Sequence, residues 1–119
     1  MSYKIDLSYL NEITGFENEI MVEMIDLFLE ETPKQITILR ESFETENWNQ
    51  LGAEAHKLKP TFLYVGLSQL NELTLEMEKF AKDRRNLDQI GEMIEELERG
   101  YGEVIPSLTE ERDRLAANI

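Results

Sequence analysis

The residue best able to do chemistry in this sequence occurs once. It is His56, in the stretch Ala55-His56-Lys57-Leu58-Lys59-Pro60. Histidine is the side chain type whose charge changes near neutral pH, so a ring nitrogen can offer its lone pair there. The chain has no cysteine to compete as a nucleophile, and that absence also excludes disulfides and thiolate metal sites. An imidazole nitrogen can attack a phosphoryl group in line to give a labile phosphoramidate. Such transfers depend mostly on positioning and charge neutralisation. Lys59 stands three residues on, one helical turn from the ring, where its ammonium can offset an anion attached to it. No Gly-rich phosphate cradle or ATP site accompanies the pair. A phosphoryl group would have to arrive from another protein.

The element that must position His56 is a helix. Leu51, Ala55, Leu58, Phe62 and Val65 step by 4, 3, 4 and 3, the pattern of a buried helical face. Asn47 can cap this helix, with Gln50 three residues on in the manner of a capping box, and Gly66 offers a stop. At 100° per residue His56 lies about 140° from the mean direction of that stripe. It is therefore off the core. Its own face carries Gly52 one turn before, Lys59 and Pro60 one turn after, and Leu63 two turns after. Gly52 leaves room beside the imidazole. A lone exposed leucine means little, but beside an accessible histidine Leu63 suggests a docking surface.

The other segments are helical as well. Ile5, Leu7, Leu10 and Ile13 form a short stripe that ends at Gly15. Ile20, Met21, Met24, Ile25, Leu27 and Phe28 mark a helix from Asn18, a plausible N-cap, to Glu31. Thr32-Pro33 then reads as a restart, with Ile36, Leu39 and Phe43 on one face. Leu70, Leu73, Met77 and Phe80 follow, then the polar connection Lys82-Asp83-Arg84-Arg85-Asn86. The longest stripe runs through Leu87, Ile90, Ile94, Leu97, Tyr101, Val104 and Leu108, and predicts one long helix despite Gly100, Gly102 and Pro106. Residues 109–119 are highly charged and are expected to fray. No segment alternates as a strand does. The expected fold is all-α: an antiparallel up-down four-helix bundle with one or two shorter lead-in helices at the N-terminus. It would be a single domain over 1–119, with its core at roughly 18–108.

Composition narrows the partners. The 119 residues carry a formal net charge of −13, from 25 acidic and 12 basic side chains. Nucleic acids and anionic membranes select basic surfaces, so neither is an expected partner. The N-terminus has no apolar run of a signal peptide, and nothing approaches the ~18 apolar residues needed to span a bilayer. The composition predicts an acidic cytoplasmic domain.

Ala55-His56-Lys57-Leu58-Lys59, followed by Gly66-Leu67 and Leu70, resembles the histidine-containing phosphotransfer (HPt) domain of multistep phosphorelays. The resemblance covers nearly the whole chain. It implies that His56 accepts and donates the phosphoryl group and that Lys59 stabilises the phosphorylated form. It implies response-regulator receiver domains and a hybrid histidine kinase as partners, with the aspartate and Mg²⁺ supplied by the receiver. It implies no cofactor and no kinase activity of the chain's own. With no kinase or receiver attached, a monomeric, free-standing shuttle is expected, provided this is the full natural chain. Two departures stand out. Pro60 occupies the position where the family usually has glycine, and a proline there removes an amide that would bond the His56 carbonyl. Phe62-Leu63-Tyr64-Val65 is bulky where small residues often occur. Phe62 and Val65 read as core and Leu63 as partner-facing; Tyr64 could be either, with a boundary position the simpler reading.

Two other readings compete. A ferritin-like metal bundle needs Glu-x-x-His motifs on two helices. Here there is one histidine, and Ala53 stands three residues before it. The second is a non-catalytic helical interaction module with an inert surface histidine.

Overall fold

The computed structural model describes residues 3–119. Five helices follow in order: α1 (Ser8–Ile13), α2 (Asn18–Glu44), α3 (Trp48–Tyr64), α4 (Ser68–Asp83) and α5 (Leu87–Ala116). The described residues contain no strand. Connections at 45–47, 65–67 and 84–86 are too short to let successive helices do anything but turn back beside one another. The four long helices close a ring, with α2 against α3 and α5, and α4 against α3 and α5. This is the expected up-down bundle, with α1 leading in.

The core follows the sequence stripes closely. Leu51, Ala55, Leu58, Phe62 and Val65 of the His56 helix are all buried, as are Ile90, Ile94, Leu97, Tyr101, Val104 and Leu108 of α5. Asn47 caps α3 as expected, but without the reciprocal half of a capping box, since its own amide donates to the Ser42 carbonyl. Asn47 Oδ1 accepts from the Gln50 amide at 3.2 Å, and Asn47 Nδ2 donates to Gln50 Oε1 at 3.1 Å.

Several expectations need correction. The first stripe is not one helical face: α1 begins at Ser8, Ile5 and Leu7 precede it, and Ile13 is exposed. Thr32-Pro33 does not restart a helix: α2 is one helix of 27 residues with Pro33 inside it. Proline has no N–H for the Leu29 carbonyl one turn back. The Tyr101 hydroxyl donates to that carbonyl instead, at 3.1 Å across from α5. Thr32 is fully buried between Phe28 and Ile36, so the apolar face runs on through the proline. Asn18 is not the N-cap of α2. Glu17 holds that position and no side chain caps the end. Nor are all the apolar residues at its start buried: Met21, Val22, Ile25 and Phe28 face the core, whereas Ile20 and Leu27 are exposed.

The C-terminal segment does not fray as expected: it is helical to Ala116. Leu115 is buried one further double turn beyond Leu108, and Arg112 makes a two-pronged ion pair with Asp26 of α2 at 2.7 and 3.0 Å. The Arg112 guanidinium holds the Asp26 carboxyl below the usual aspartate range.

Residues 3–7 form a strap. The Asp6 amide donates to the Val65 carbonyl at 2.9 Å, just before the α3–α4 turn. Gly66 in that turn has φ +75°, and a Cβ there would come within 2.6 Å of Asp6. Glycine is thus required both by its backbone angle and by the strap. The ring of Tyr3 lies over Gly100, its hydroxyl donates to Glu96, and Arg99 stacks above it at 5.5 Å. Arg99 first and Tyr3 second hold the Glu96 carboxyl at about 2.

Two predictions follow from this packing. Tyr101→Phe should cost about 1 kcal/mol in urea unfolding, and less in a Pro33→Ala background, where an amide again reaches the Leu29 carbonyl. Equal costs in both backgrounds would mean that the hydroxyl does not serve that carbonyl. Because the Glu96 carboxyl is depressed, its anchoring of Tyr3 is complete above the ordinary glutamate range, about 4.3, and is lost as pH falls towards 2. Tyr3 ring resonances should shift towards free-chain values in that window, and an unchanged environment at pH 2 would contradict it.

Candidate functional site

The α3–α4 hairpin builds the site. Two antiparallel helices joined at 65–67 bring residues into register almost symmetrically about the turn, so His56 lies level with Glu78. The His56 side chain is 65% exposed. Its Nδ1 is 2.7 Å from Oε2 of Glu78, and the other Glu78 oxygen is 3.4 Å from Lys59 Nζ. One carboxylate therefore holds both residues singled out by the sequence. Glu78 is itself mostly covered, with its side chain 24% exposed. It sits beside the buried Met77 on the edge of α4 that faces α3.

An ionised carboxylate only accepts hydrogen bonds, so it assigns the imidazole proton to Nδ1. Nε2 then carries the free lone pair, and no protein group claims it among the described residues. This is the arrangement by which a carboxylate orients a reactive or metal-binding histidine. Among the described residues no three His, Cys, Asp or Glu side chains cluster closely enough to hold a metal ion.

Pro60 and Leu63 lie on the surface with His56 and Lys59, in a groove completed by Asn71 and Leu75 of α4. Leu63 and Leu75 are both exposed, and the Asn71 Oδ1 is buried without a partner. Pro60 leaves α3 unbroken through Tyr64. Gly52 lies on the other flank, half-buried, in a groove with Trp48, His56 and Glu78. A Cβ at Gly52 would meet Ala81 at 3.7 Å, an ordinary contact. The space there would therefore take an alanine. Tyr64 is half-buried and stacks on Tyr9 at 6.2 Å, which fits its reading as a boundary residue.

Glu78 and Leu75 escaped the sequence reading. A signal for Glu78 exists. Reflecting His56 through a turn near Gly66 lands on residues 76–78, where Glu76 and Glu78 are the acids. Choosing between them requires knowing which flank of α4 turns towards α3; both acids adjoin the buried Met77, so the core stripe does not distinguish them.

Residues 23–105 match the Hpt domain family, well over half of the chain, and the protein belongs to that family. It is thereby a histidine phosphotransfer protein of the phosphorelay type. In three dimensions it is similar to histidine-containing phosphotransfer protein B of Pseudomonas aeruginosa PAO1. The TM-score is 0.83 and the identity 22%, over 92% of this chain and 95% of that one. At that identity the likeness speaks for the fold. No curated protein matches the chain in sequence. No helix among the described residues is long and apolar enough to cross a membrane.

Removing the Glu78 carboxylate should free the ring. Long-range ¹H–¹⁵N NMR of neutral wild-type protein should show the Nδ1–H tautomer of His56, and Glu78→Ala should give a mixture. The same spectrum in both would show that Glu78 does not set the tautomer.

Proposed function

We propose that the protein accepts a phosphoryl group on Nε2 of His56 from the aspartate of one receiver domain and passes it to the aspartate of another. The observation that carries this reading is the exposed imidazole tethered through Nδ1 to Glu78, which leaves Nε2 open to solvent. The lone pair of Nε2 forms the new bond to phosphorus while the bond to the aspartate oxygen breaks, and the receiver's carboxylate leaves. The ring then carries positive charge shared with Nδ1–H, and the Glu78 carboxylate stabilises it. Return transfer reverses each step. Phosphoryl transfer of this kind asks for positioning and charge balance more than for further functional groups.

Lys59 has a share in that balance. Before transfer its ammonium rests on Glu78. Once three phosphoryl oxygens sit on Nε2, one turn away, it can reach across to them. Pro60, Leu63 and Leu75 supply an apolar contact for the receiver on one flank, and Gly52 keeps the other flank low. Mg²⁺ belongs to the receiver in this reading, and the chain needs no cofactor and no kinase activity of its own. A hybrid histidine kinase would supply the relay, with this protein acting as a monomer in the cytoplasm.

The decisive test is incubation with a phosphorylated receiver domain, followed by assay for acid-labile, alkali-stable phosphate. His56→Gln should abolish the label while leaving the helical circular dichroism intact. Wild-type protein that takes no label from any receiver of its own organism would sink the proposal. Lys59→Ala should slow transfer or shorten the life of the phosphorylated protein, and unchanged kinetics would remove it from the mechanism. Leu63→Asp should weaken receiver binding by about 1–3 kcal/mol if it is a central anchor. An unchanged dissociation constant would move the docking surface elsewhere.

A further inference from the structure

The charges of this acidic protein are not spread evenly. Of its 12 basic residues, six line the grooves that flank His56: Lys57, Lys59, Lys79, Lys82, Arg84 and Arg85. Of the other six, five are neutralised and Lys4 alone has no ion pair among the described residues. Lys34 pairs with Glu30 and Glu31, Arg40 with Glu98, Arg99 with Glu96 and Glu103, Arg112 with Asp26, and Arg114 with Glu111. Around His56 the pattern reverses. Lys57 and Lys59 have carboxylate partners, but Lys79, Lys82, Arg84 and Arg85 have none within 4 Å among the described residues. Arg84 is committed to neutral acceptors instead, the Ala81 carbonyl and Asn49 Oδ1. All four are exposed. Glu72 and Glu76 share the Lys79–Arg85 groove without pairing to these cations.

The physical consequence is a cation-rich rim beside His56, six basic side chains interleaved with Glu72, Glu76, Glu78 and Asp83, on a molecule whose total charge is −13. At physiological salt the screening length is about 8 Å, so a partner close to His56 senses the collar more than the distant acids. The rest of the molecule carries the excess of acids, 25 against 12 basic residues over the whole chain. Opposed surfaces of this kind raise encounter rates by about 10–10³-fold and orient the encounter. Nucleic acid and anionic lipid fit poorly, because both present a charge field larger than the collar, and the acidic remainder repels it.

We infer that the unpaired cations at the α4 end of the site form an electrostatic collar that recruits receiver domains with an acidic rim around their phosphorylated aspartate, and so set partner choice. This rests on the phosphocarrier reading above. The apolar flank at Leu63 and Leu75 and the basic flank at Lys79, Lys82 and Arg85 would then divide the work. The first holds the bound partner. The second governs how often the right partner arrives.

Two arms separate this claim from the one beneath it. Phosphoramidate, a small phosphodonor with no docking face, should label wild-type protein at His56; absence of that label would defeat the phosphocarrier reading itself. The second arm uses the intact protein with Lys82→Glu and Arg85→Glu together, and a phosphorylated receiver with an acidic rim. At low ionic strength the second-order transfer rate should fall at least tenfold, with circular dichroism unchanged. In 0.5 M salt, about a 4 Å screening length, the two proteins should converge. Replacing the receiver's rim acids by lysine should restore much of the rate for the double variant and lower it for wild type. Wild-type rates and salt dependence in the double variant, with phosphoramidate labelling intact, would overturn the collar and leave the phosphocarrier reading standing. Faster transfer to neutral-rimmed than to acidic-rimmed receivers would overturn it as well.

Discussion

The face that carries His56 depends on how closely α3 and α4 lie side by side. A three-residue connection, 65–67, leaves no slack between them. Gly66 turns the chain with φ +75°, and the Asp6 strap packs against the place where any side chain at 66 would sit. Further along the pair Gly52 faces Ala81, a small residue on each helix. With that spacing fixed, a carboxylate on α4 reaches an imidazole and an ammonium on α3 at 2.7 and 3.4 Å. A looser hairpin would leave His56 as an exposed ring of either tautomer. The site is a consequence of helix packing rather than of a loop, and rigid elements are where such geometry is best held.

The remainder of the bundle keeps that hairpin in place while leaving it open. α2 and α5 close the ring, and they are tied to each other by Tyr101 on the Leu29 carbonyl and by Arg112 on Asp26. Most of the cations not near His56 are spent in such pairs, which individually add little to stability at exposed positions. Their cumulative effect on the charge map is larger. With most other cations neutralised, the unpaired ones gather beside the imidazole. Electrostatics and packing thus converge on one end of one helix pair.

Much of this was legible in the sequence. Heptad-like stripes located α3, α4 and α5 and put His56 off the core, because a 3–4 spacing fixes the azimuth of every residue on its own helix. What the stripes cannot give is one helix's rotation relative to another. Glu78 therefore went unseen, although it is the residue that makes His56 more than an exposed ring. Pro33 misled for a related reason. Proline breaks a helix when its orphaned carbonyl has no donor, and here the donor is Tyr101, 72 positions away. The C-terminal turns stay helical despite their charge because a single leucine, Leu115, continues the buried stripe.

The central claim is that Glu78 fixes the proton on Nδ1 and thereby makes Nε2 the phosphoryl acceptor. The most direct measurement is NMR of the phosphorylated, ¹⁵N-histidine-labelled protein, in which coupling to phosphorus identifies the bonded nitrogen. Phosphorus on Nε2, with a proton retained at Nδ1, is the predicted result. Phosphorus on Nδ1, the nitrogen held against Glu78, would contradict it.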